Sequence, residues 1–294
     1  MHPQIPFTDK EIDIIPRGRP FVKMHGLRND FIIVDGRQHP YTPSAEEIIR
    51  ICDRRAGVGG DELVIVDSPH SESTKDAYAF VRIFNPDGRE VEACGNATRC
   101  VGWLLLQESE RETVVIDTLG GPLQCRLSGD KKVAVDMGKL RIGWQEIPLA
   151  REMDTLHLEI SAGPLQDPVG MNIGNPHAVF FVDDLDEIDL AAFGPQLQKD
   201  SLFPQEANIG AAQLIDSKTL KLSVWERPGA LTTACGTGAC VAVGAAHRRG
   251  LTKEKRMTVI MPAGSVEIEL KDDNSAVMTG PVEICFSGYL PVIE

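Results

Sequence analysis

The amino-acid sequence predicts an α/β (α+β) protein made of two pseudo-symmetric halves, each a mixed or antiparallel sheet wrapped around a central apolar helix. Three observations predict this fold. Sequence landmarks recur in the same order roughly 140 to 146 residues apart, runs of strand-forming residues recur with them, and each half contains one helical segment that is apolar almost all round. Because a duplication places equivalent segments on opposite sides of a cleft, we expect the active site in that cleft.

The repeat comprises four pairs of segments. They are 29–35 with 175–183, 93–96 with 234–237, 121–127 with 264–270, and Gly138 with Gly280. One matching pair could arise by chance, whereas four pairs in register indicate a duplicated fold. We therefore assign 1–136 plus 282–294 to the N-terminal half and 137–281 to the C-terminal half. Residues 1–20, which carry four prolines and have no counterpart, are expected to form a loose extension.

Local patterns predict the individual strands and helices. Short runs rich in β-branched and aromatic residues predict buried strands at 31–34, 114–116, 179–182 and 259–260. Alternating apolar and polar residues predict half-exposed strands at 124–127 and 266–270. Segments 97–107 and 238–247 lack a polar face, and this predicts two helices that are enclosed on every side.

The composition excludes several classes of function. The chain has 294 residues, of which 42% are hydrophobic and 25% charged, as is typical of a globular protein. Its formal net charge of −13, without a basic cluster, argues against nucleic acid and against an anionic membrane surface as partners. No run approaches the roughly 18 apolar residues of a membrane span, and the start does not resemble a signal peptide. We therefore expect a cytoplasmic protein.

The seven cysteines are an odd number in a chain too large to need disulfides, so we expect free, buried thiols. The pairs Cys94 with Cys100 and Cys235 with Cys240 lack the companion His or Cys residues of a zinc site, so no metal is expected. Because the chain contains no Cys-x-x-Cys pair, a thiol redox protein is also a poor match.

Cys94 and Cys235 stand at equivalent positions, each followed by glycine and by the start of a predicted helix. Unpaired N–H groups at a helix N-terminus bind an anion such as a carboxylate, and we expect them to lower the pKa of a neighbouring thiol. Two such thiols facing one cleft suggest that one removes a proton from a carbon while the other delivers a proton to the opposite face. This chemistry needs no electron-sink cofactor, and the chain has no dinucleotide-binding glycine fingerprint.

Seven motifs follow one another from about residue 21 to the C-terminus. They are KMHGLRNDF at 23–31, GVGGD at 57–61, FNPDG at 84–88 through ACGN at 93–96, GNPH at 174–177, Asn208, ER at 226–227, and ACGTGAC at 234–240. In these motifs the chain resembles the diaminopimelate epimerases. The resemblance implies an isomerase that is independent of pyridoxal phosphate and of any other cofactor. Such an enzyme interconverts LL- and meso-diaminopimelate for lysine and peptidoglycan synthesis.

The resemblance also implies a role for each matching residue. Cys94 and Cys235 match the acid/base pair, and His177 and Glu226 match residues that tune the cysteine pKa values. The remaining matches are to residues that bind the substrate: Gly95, Asn96, Gly236 and Thr237 at the reacting carboxylate, Asn29 near the reacting carbon, and Asn85, Asn175, Asn208 and Arg227 at the distal end, with Glu226 accepting from an ammonium group.

Three positions depart from the family pattern. Arg28 stands where relatives often have glycine, so the backbone there is expected to differ or to place a new charge at the rim. Glu62 occupies a position where some relatives have a glutamine that contacts the substrate, and its carboxylate would favour an ammonium group. Leu231 lies in a loop after Arg227 whose sequence differs from the common pattern, which leaves the detail of that loop open.

The expected partner is a small-molecule diamino-dicarboxylate substrate, and the expected assembly, if there is one, is a homodimer. The alternative enzyme is a related racemase of proline or hydroxyproline. Such a single-carboxylate substrate has no use for the distal set Asn85, Asn175, Asn208 and Arg227. A binding protein that kept the cleft and lost turnover is the alternative outside the enzymes, and it would not exchange a substrate proton with solvent.

Overall fold

The computed structural model describes residues 17–70, 72–92, 94–227 and 229–291. The helices are α1 (Ala45–Cys52), α2 (Gly95–Ser109), α3 (Leu190–Gln198) and α4 (Gly236–Arg248), with a short 3₁₀ helix at Leu185–Glu187. The strands are β1 (Arg17–Gly26), β2 (Asn29–Asp35), β3 (Glu62–Asp67), β4 (Ala77–Phe84), β5 (Glu90–Val91), β6 (Thr113–Asp117), β7 (Leu123–Leu127), β8 (Lys132–Lys139), β9 (Ser161–Ala162), β10 (Leu165–Gln166), β11 (Val169–Asn172), β12 (Pro176–Phe181), β13 (Asn208–Asp216), β14 (Thr219–Glu226), β15 (Ala230–Thr232), β16 (Arg256–Met261), β17 (Gly264–Leu270), β18 (Ser275–Pro281) and β19 (Glu283–Pro291).

Neighbouring strands pair in the same way in the two halves. In the first half, β2 runs parallel to β3, β3 antiparallel to β4, and β4 parallel to β6. In the second half, β12 runs parallel to β13, β13 antiparallel to β14, and β14 parallel to β16. The antiparallel ladders β6–β7–β8 and β16–β17–β18 complete the two halves. The predicted fold of two pseudo-symmetric halves is therefore confirmed.

Strands β8 and β18 join the two halves. They pair antiparallel, with Val135 opposite Met278, and β19 returns to pair with β1. Seventeen strands thereby belong to one continuous sheet, while β9 and β10 form a separate pair. The main hydrophobic core also draws on both halves, since it contains Met24 and Val101 as well as Val241 and Met278. The halves therefore share both a sheet and a core.

Helices α2 and α4 are the central helices of the two halves. Helix α2 packs against β1, β2, β6, β7 and β8, and α4 packs against strands of the second half from β11 to β18. Every residue from Gly238 to Ala246 is buried, as is every residue from Asn96 to Gly102. The two central helices are thus confirmed, and each starts two residues earlier than predicted, at Gly95 and at Gly236. The predicted enclosure holds for α4 but only for the first part of α2, where Trp103 and Leu104 are partly exposed. No helix in the described ranges is long and apolar enough to cross a membrane.

The six predicted strands correspond to β2, β6, β7, β12, β16 and β17. Strand β16 differs from the prediction of a fully buried strand, because its residues alternate between the core and the surface. Met257, Val259 and Met261 are buried, whereas Ile260 is 41% exposed. One face of this strand therefore packs on the core and the other faces solvent.

Residues 17–20 are not part of a loose extension, contrary to the prediction, because they form the first part of β1. Pro20 lies opposite Tyr289 of β19, and β2 pairs with β1 only from Val22 onward. Pro20 therefore has a single neighbouring strand, and its missing N–H interrupts no second ladder. The rest of the predicted extension, residues 1–16, lies outside the described residues.

All seven cysteines are free thiols, as the odd number and the size of the chain predicted. Five of them are buried and Cys94 is partly buried. Cys285 is the exception to the predicted burial, since it is exposed on β19.

Candidate active site

Cys94 and Cys235 each occupy the residue immediately before a central helix. Their backbones are extended in the same way, with φ −140° and ψ 111° at Cys94 and φ −122° and ψ 107° at Cys235. Cys235 is 4% exposed, and its Sγ accepts a hydrogen bond from the Gly238 N–H at 3.3 Å. The two thiols therefore precede equivalent helices in equivalent conformations.

The first turns of α2 and α4 meet at one side chain, that of Met278. A Cβ atom built on Gly95 would lie 3.0 Å from Met278 Cε, and one built on Gly236 would lie 2.9 Å from Met278 Sδ. The same position on Gly236 is 3.9 Å from Asn96 Oδ1 of the opposite helix. Because Met278 is fully buried, a larger residue at either glycine would displace it. The two helix ends therefore face one small region.

Both thiols ionise less readily than the helix ends alone would allow. Burial raises the pKa of Cys94 well above its ordinary value, and the charge of Glu62 raises it further. Burial and the charge of Glu226 raise the pKa of Cys235 in the same way. Backbone N–H groups act in the opposite direction at both cysteines but are outweighed. The expected lowering of the thiol pKa values towards neutrality is therefore wrong in this structure.

Asn29 lies at the start of β2 with its amide oxygen directed at the first turn of α2. Asn96 Nδ2 donates to Asn29 Oδ1 at 3.1 Å, and Cys94 Sγ lies 3.8 Å from the same oxygen. Asn29 Nδ2 donates to Asp61 Oδ2 at 3.0 Å, which fixes the orientation of the amide. The structure thus brings together three of the predicted site residues, with Asp61 as their support.

A network of charges holds Asp61 in place. Arg54 Nη2 lies 2.7 Å from Asp61 Oδ1 and 2.6 Å from Asp30 Oδ1, and Lys23 Nζ lies 2.8 Å from Asp30 Oδ2. The members of this network come from separate segments of the chain, so no single motif of the sequence pointed to it. Its effect is to position Asn29, which is the member of the group that reaches the cysteine.

Glu62 begins β3 and reaches the thiol of the first half. Its carboxyl interacts with the Cys94 thiol, and burial is the main reason that the pKa of Glu62 is raised to about 7. The Glu62 Oε2 atom is buried and has no hydrogen-bond partner among the described residues. Asn85 follows the end of β4, which pairs with β3 so that Leu63 lies opposite Phe84. Glu62 and Asn85 are therefore neighbours across the two strands.

His177 is the centre of a polar cluster in the second half. Its Nε2 lies 3.0 Å from Asn175 Oδ1, 3.1 Å from Thr237 Oγ1 and 3.3 Å from Asn208 Nδ2. Burial lowers the pKa of His177 to about 3, so the ring is neutral in the physiological range. The Thr237 hydroxyl lies 3.5 Å from Cys235 Sγ. His177 is therefore linked to Cys235 through Thr237.

Glu226 ends β14 beside the second cysteine. Its carboxyl interacts with the Cys235 thiol, and burial raises the pKa of Glu226. Thr232 Oγ1 donates to Glu226 Oε1 at 2.5 Å, a contact that the sequence did not predict. The departure from the family pattern at Leu231 leaves this contact in place, because Leu231 lies in β15 with its side chain 49% exposed.

Arg227 is held next to Glu226 by its backbone and by its side chain. Its N–H donates to Asn208 Oδ1 at 2.9 Å, and its Nη1 donates to the Gln205 carbonyl at 2.7 Å. The first of these bonds ties Arg227 to the cluster around His177. The predicted distal residues of the second half are thus connected to one another, whereas Asn85 belongs to the first half.

Arg99 is a further charged residue near the cysteines that the motifs did not single out. It is fully buried in α2, where its Nη1 lies 3.4 Å from Met278 Sδ. Its Nε and Nη2 atoms have no hydrogen-bond partner in the described part of the chain. A Cβ atom built on Gly26 would lie 2.7 Å from Nη2, and one on Gly280 would lie 2.9 Å from Nε. Glycine at both positions therefore makes room for the guanidinium.

Several solved structures share this fold at low sequence identity. A hydroxyproline epimerase from Agrobacterium vitis, with bound trans-4-hydroxy-L-proline, superposes with a TM-score of 0.67 at 14% identity over 95% of this chain and 94% of that chain. A phenazine biosynthesis protein of the PhzF family from Enterococcus faecalis has a TM-score of 0.63 at 14% identity, over 93% and 99% of the two chains. These similarities concern the fold alone.

Sequence comparison is more specific. The family model described as diaminopimelate epimerase matches residues 21–142 and 169–285. The diaminopimelate epimerase of Rhodospirillum centenum is 46% identical over 272 residues, which are 92% of each chain. That of Acidiphilium cryptum is 45% identical over 272 residues, 92% of this chain and 96% of the relative. With its fold, its paired cysteines and these relatives, the chain belongs to the diaminopimelate epimerase family of isomerases.

Proposed function

We propose that this chain converts LL-diaminopimelate to meso-diaminopimelate by moving a proton at one α-carbon with a thiol/thiolate pair and no cofactor. The reaction would serve lysine and peptidoglycan precursor synthesis in the cytoplasm. The observation that carries the proposal is the matched placement of Cys94 and Cys235 before two helices whose first turns meet at Met278. The substrate is inferred from family membership.

The helix ends account for binding of the reacting carboxylate. The first backbone N–H groups of α2 and α4, at Gly95, Asn96, Gly236 and Thr237, have no partner within their own helices. They are donors at the positive ends of two helix dipoles, so they favour a carboxylate between them. The same donors stabilise the negative charge that develops on that carboxylate when the α-proton leaves.

The two thiols then exchange one proton each with the α-carbon. One thiolate takes the α-proton, so that a C–H bond breaks and an S–H bond forms. The opposing thiol gives its proton to the other face, so that an S–H bond breaks and a new C–H bond forms. Because the pKa values of Cys94 and Cys235 are raised, each thiolate is a stronger base than an exposed one. The working state carries one thiolate, and the apparent pKa values belong to the pair.

The distal end of the substrate would be held by the residues that the family resemblance indicated. Asn175, Asn208 and Arg227 are connected around His177, and Asn85 would be the member of the set from the first half. The Arg227 guanidinium can bind a carboxylate through two parallel hydrogen bonds, in exchange for its bond to the Gln205 carbonyl. A substrate with a second amino-acid group uses this set, whereas proline does not.

A substrate panel in deuterated water tests reaction type and specificity together. We expect deuterium at the α-carbon of diaminopimelate and none in proline or hydroxyproline, as measured by mass spectrometry. Deuterium in proline instead would favour the alternative racemase. Binding of diaminopimelate without any exchange would identify a binding protein.

The cysteine pair is tested by Cys94→Ala and Cys235→Ala. Each variant should lose epimerase activity by at least about a thousandfold, because each removes one of two required proton carriers. Cys285→Ser is the matched control, since that thiol is exposed on β19, and it should keep normal activity. Substantial activity in both alanine variants would rule out the two-thiol reaction.

A further inference from the structure

We propose that Glu62 is the proton partner of Cys94, so that each cysteine has its own partly buried glutamic acid, Glu62 for Cys94 and Glu226 for Cys235. The inference deepens the proposed two-thiol reaction and rests on it. The resemblance to the family implied only a substrate contact at position 62. Glu62 acts through the cysteine in this proposal, so it is a positioning residue.

The contacts of Glu62 are the first support. Its carboxyl interacts with the Cys94 thiol and raises the pKa of that thiol, and its Oε2 is buried without a hydrogen-bond partner among the described residues. Strand β3 runs parallel to β2 with Glu62 opposite Phe31. The carboxyl therefore enters the site beside Asn29, whose amide oxygen is 3.8 Å from the same sulfur. A carboxyl in this position can exchange a proton with the thiol directly.

The repeat of the fold is the second support. Glu62 begins β3, which runs parallel to β2, and Asn208 begins β13, which runs parallel to β12. The two residues are therefore equivalent. Asn85 and Glu226 stand at equivalent ends of β4 and β14. At the first pair of equivalent positions the acid is in the first half, as Glu62, and at the second pair it is in the second half, as Glu226. Each half nevertheless supplies one acid, and the charge of each acid raises the pKa of the cysteine in its own half.

His177 does not supply this function for Cys94. Its described hydrogen bonds go to Asn175, Thr237 and Asn208, all in the second half, and Thr237 links it to Cys235. Burial keeps the ring neutral down to about pH 3, since it lowers the pKa of His177 to that value. Among the described residues of the first half, Glu62 is the acid whose charge acts on the Cys94 thiol.

The charges around the pair favour one shared negative charge. Asp61 from the same segment and Glu226 from β14 both act to raise the pKa of Glu62, which burial brings to about 7. Cys52 at the end of α1 is also within electrostatic reach of Glu62, and Arg99 within reach of Cys94. Near neutral pH the pair can therefore lose one proton, and the high pKa of Cys94 opposes loss of the second.

The shared charge moves by a balanced proton transfer. The S–H bond of Cys94 breaks and an O–H bond forms on Glu62, so the negative charge passes from oxygen to sulfur. The thiolate then takes the α-proton of the substrate. Before the next turnover, Glu62 releases its proton to solvent. It then accepts the proton on Cys94, which restores the thiolate. At the other cysteine Glu226 donates its proton to the thiolate and regains one from solvent.

The test is the pH dependence of alkylation of Cys94 by iodoacetamide in the full-length protein without substrate, measured as the initial rate on the Cys94 peptide by mass spectrometry. In the wild type the rise with pH should bend at about pH 7, because ionised Glu62 then opposes the thiolate. In Glu62→Gln the rate should continue to rise about tenfold per pH unit through this range. At pH 8 the variant should therefore be alkylated about tenfold faster than the wild type.

Two controls keep the result specific. The profile of Cys235 in the same samples should be unaffected by Glu62→Gln and should change in Glu226→Gln. Glu62→Asp, which keeps the carboxyl, should retain a bend, so loss of the bend cannot come from a general disturbance of the fold. Identical Cys94 profiles in the wild type and in Glu62→Gln would overturn the inference.

Steady-state kinetics separate this role from a substrate contact. As a proton partner, Glu62→Gln should lower kcat by about tenfold or more, with a smaller change in KM, because return of the thiols to their starting protonation becomes slow. A higher KM with an unchanged alkylation profile would show a substrate contact instead and refute the proton partnership. Deuterium exchange by the wild type remains the separate test of the proposed function.

Discussion

The buried guanidinium of Arg99 shows how far a single residue can depart from the usual rules of burial. It is the largest of the fully buried side chains, and two of its nitrogens have no hydrogen-bond partner among the described residues. An isolated charge in such a place is costly, and burial accordingly lowers the pKa of Arg99. Its positive charge acts on Cys94, Cys100 and Cys240. Arg99 therefore offsets negative charge when a thiol of the site ionises.

Replacement of Arg99 should separate stability from activity. We expect Arg99→Met to raise the free energy of unfolding by about 1 to 3 kcal/mol, because an unpaired charge is replaced by an apolar chain of similar length. Activity should fall, since the thiolate loses a nearby cation. Urea unfolding and an epimerase assay measure the two effects. Arg249→Met is the control, because Arg249 is paired with Asp167 at 2.9 Å and should give no gain in stability. A less stable Arg99→Met would contradict the expectation.

For single residues, the sequence predicted where the two cysteines lie but not how readily their thiols ionise. The spacing of the two Ala-Cys-Gly motifs placed both thiols before helices, because a helix start depends on neighbouring residues. The thiol pKa values could not be predicted, because they depend mainly on burial, and because Glu62, whose charge acts on Cys94, is far from it in the sequence. Local motifs do not contain that proximity.

The hairpin between β1 and β2 is the element whose turn departs most clearly from the family pattern. Gly26 lies opposite Asn29, and the two residues between them, Leu27 and Arg28, have φ values of 56° and 63°. Both are in the left-handed region, as a two-residue hairpin turn requires. Arg28 therefore keeps the backbone conformation that glycine adopts at lower cost, although the sequence suggested that the backbone there could differ.

Arg28→Gly should stabilise the protein. The side chain of Arg28 is exposed, so the substitution removes little packing while it relieves left-handed strain of about 1 kcal/mol. Thermal unfolding should show a higher midpoint. Leu27→Gly is the matched control at the neighbouring position: it relieves similar strain but removes a buried side chain that lies against Gly264, and its midpoint should fall. A lower midpoint for Arg28→Gly would contradict this interpretation of the turn.

Elements with a strong local pattern were predictable and the others were not. The apolar runs of β2 and β12 and the uniformly apolar helices α2 and α4 carry their own signal. Helix α3 is nine residues long and contains Pro195, so it offers no clear helical period. Helix α1 did carry a local signal that the prediction missed, since Ser44 caps it and Ile48, Ile51 and Cys52 form its buried face. The first residues of β1 lie in a segment rich in arginine and proline, and they belong to the strand through their pairing with β19.

The whole molecule is one cooperative unit in spite of its duplication. The pairing of β8 with β18 continues the sheet from one half into the other, and the main core includes residues of both. Neither half can therefore unfold without exposing apolar surface and unpaired strand edges of its partner. The repeat predicted the two halves, but pairing between strands so far apart leaves no local pattern from which this junction could be predicted.

Unfolding in urea should accordingly show a single transition. The three tryptophans allow each half to be followed, since Trp103 lies in α2 of the first half and Trp144 and Trp225 lie in the second. We expect a variant that retains only Trp103 and one that retains only Trp144 and Trp225 to report the same midpoint after correction for the substitutions. Two transitions at different urea concentrations, each seen by one probe set, would show that the halves are independent.

The exchange of acid and amide between positions 62 and 208, and between 85 and 226, has a consequence for the handedness of the chemistry. The backbones of the two halves are nearly equivalent at these four positions, but the side chains that they carry are different. A ligand with amino-acid groups at both ends therefore has one preferred direction of entry. In the proposed reaction, the α-carbon at one end of the substrate would be inverted while the amino-acid group at the other end is bound.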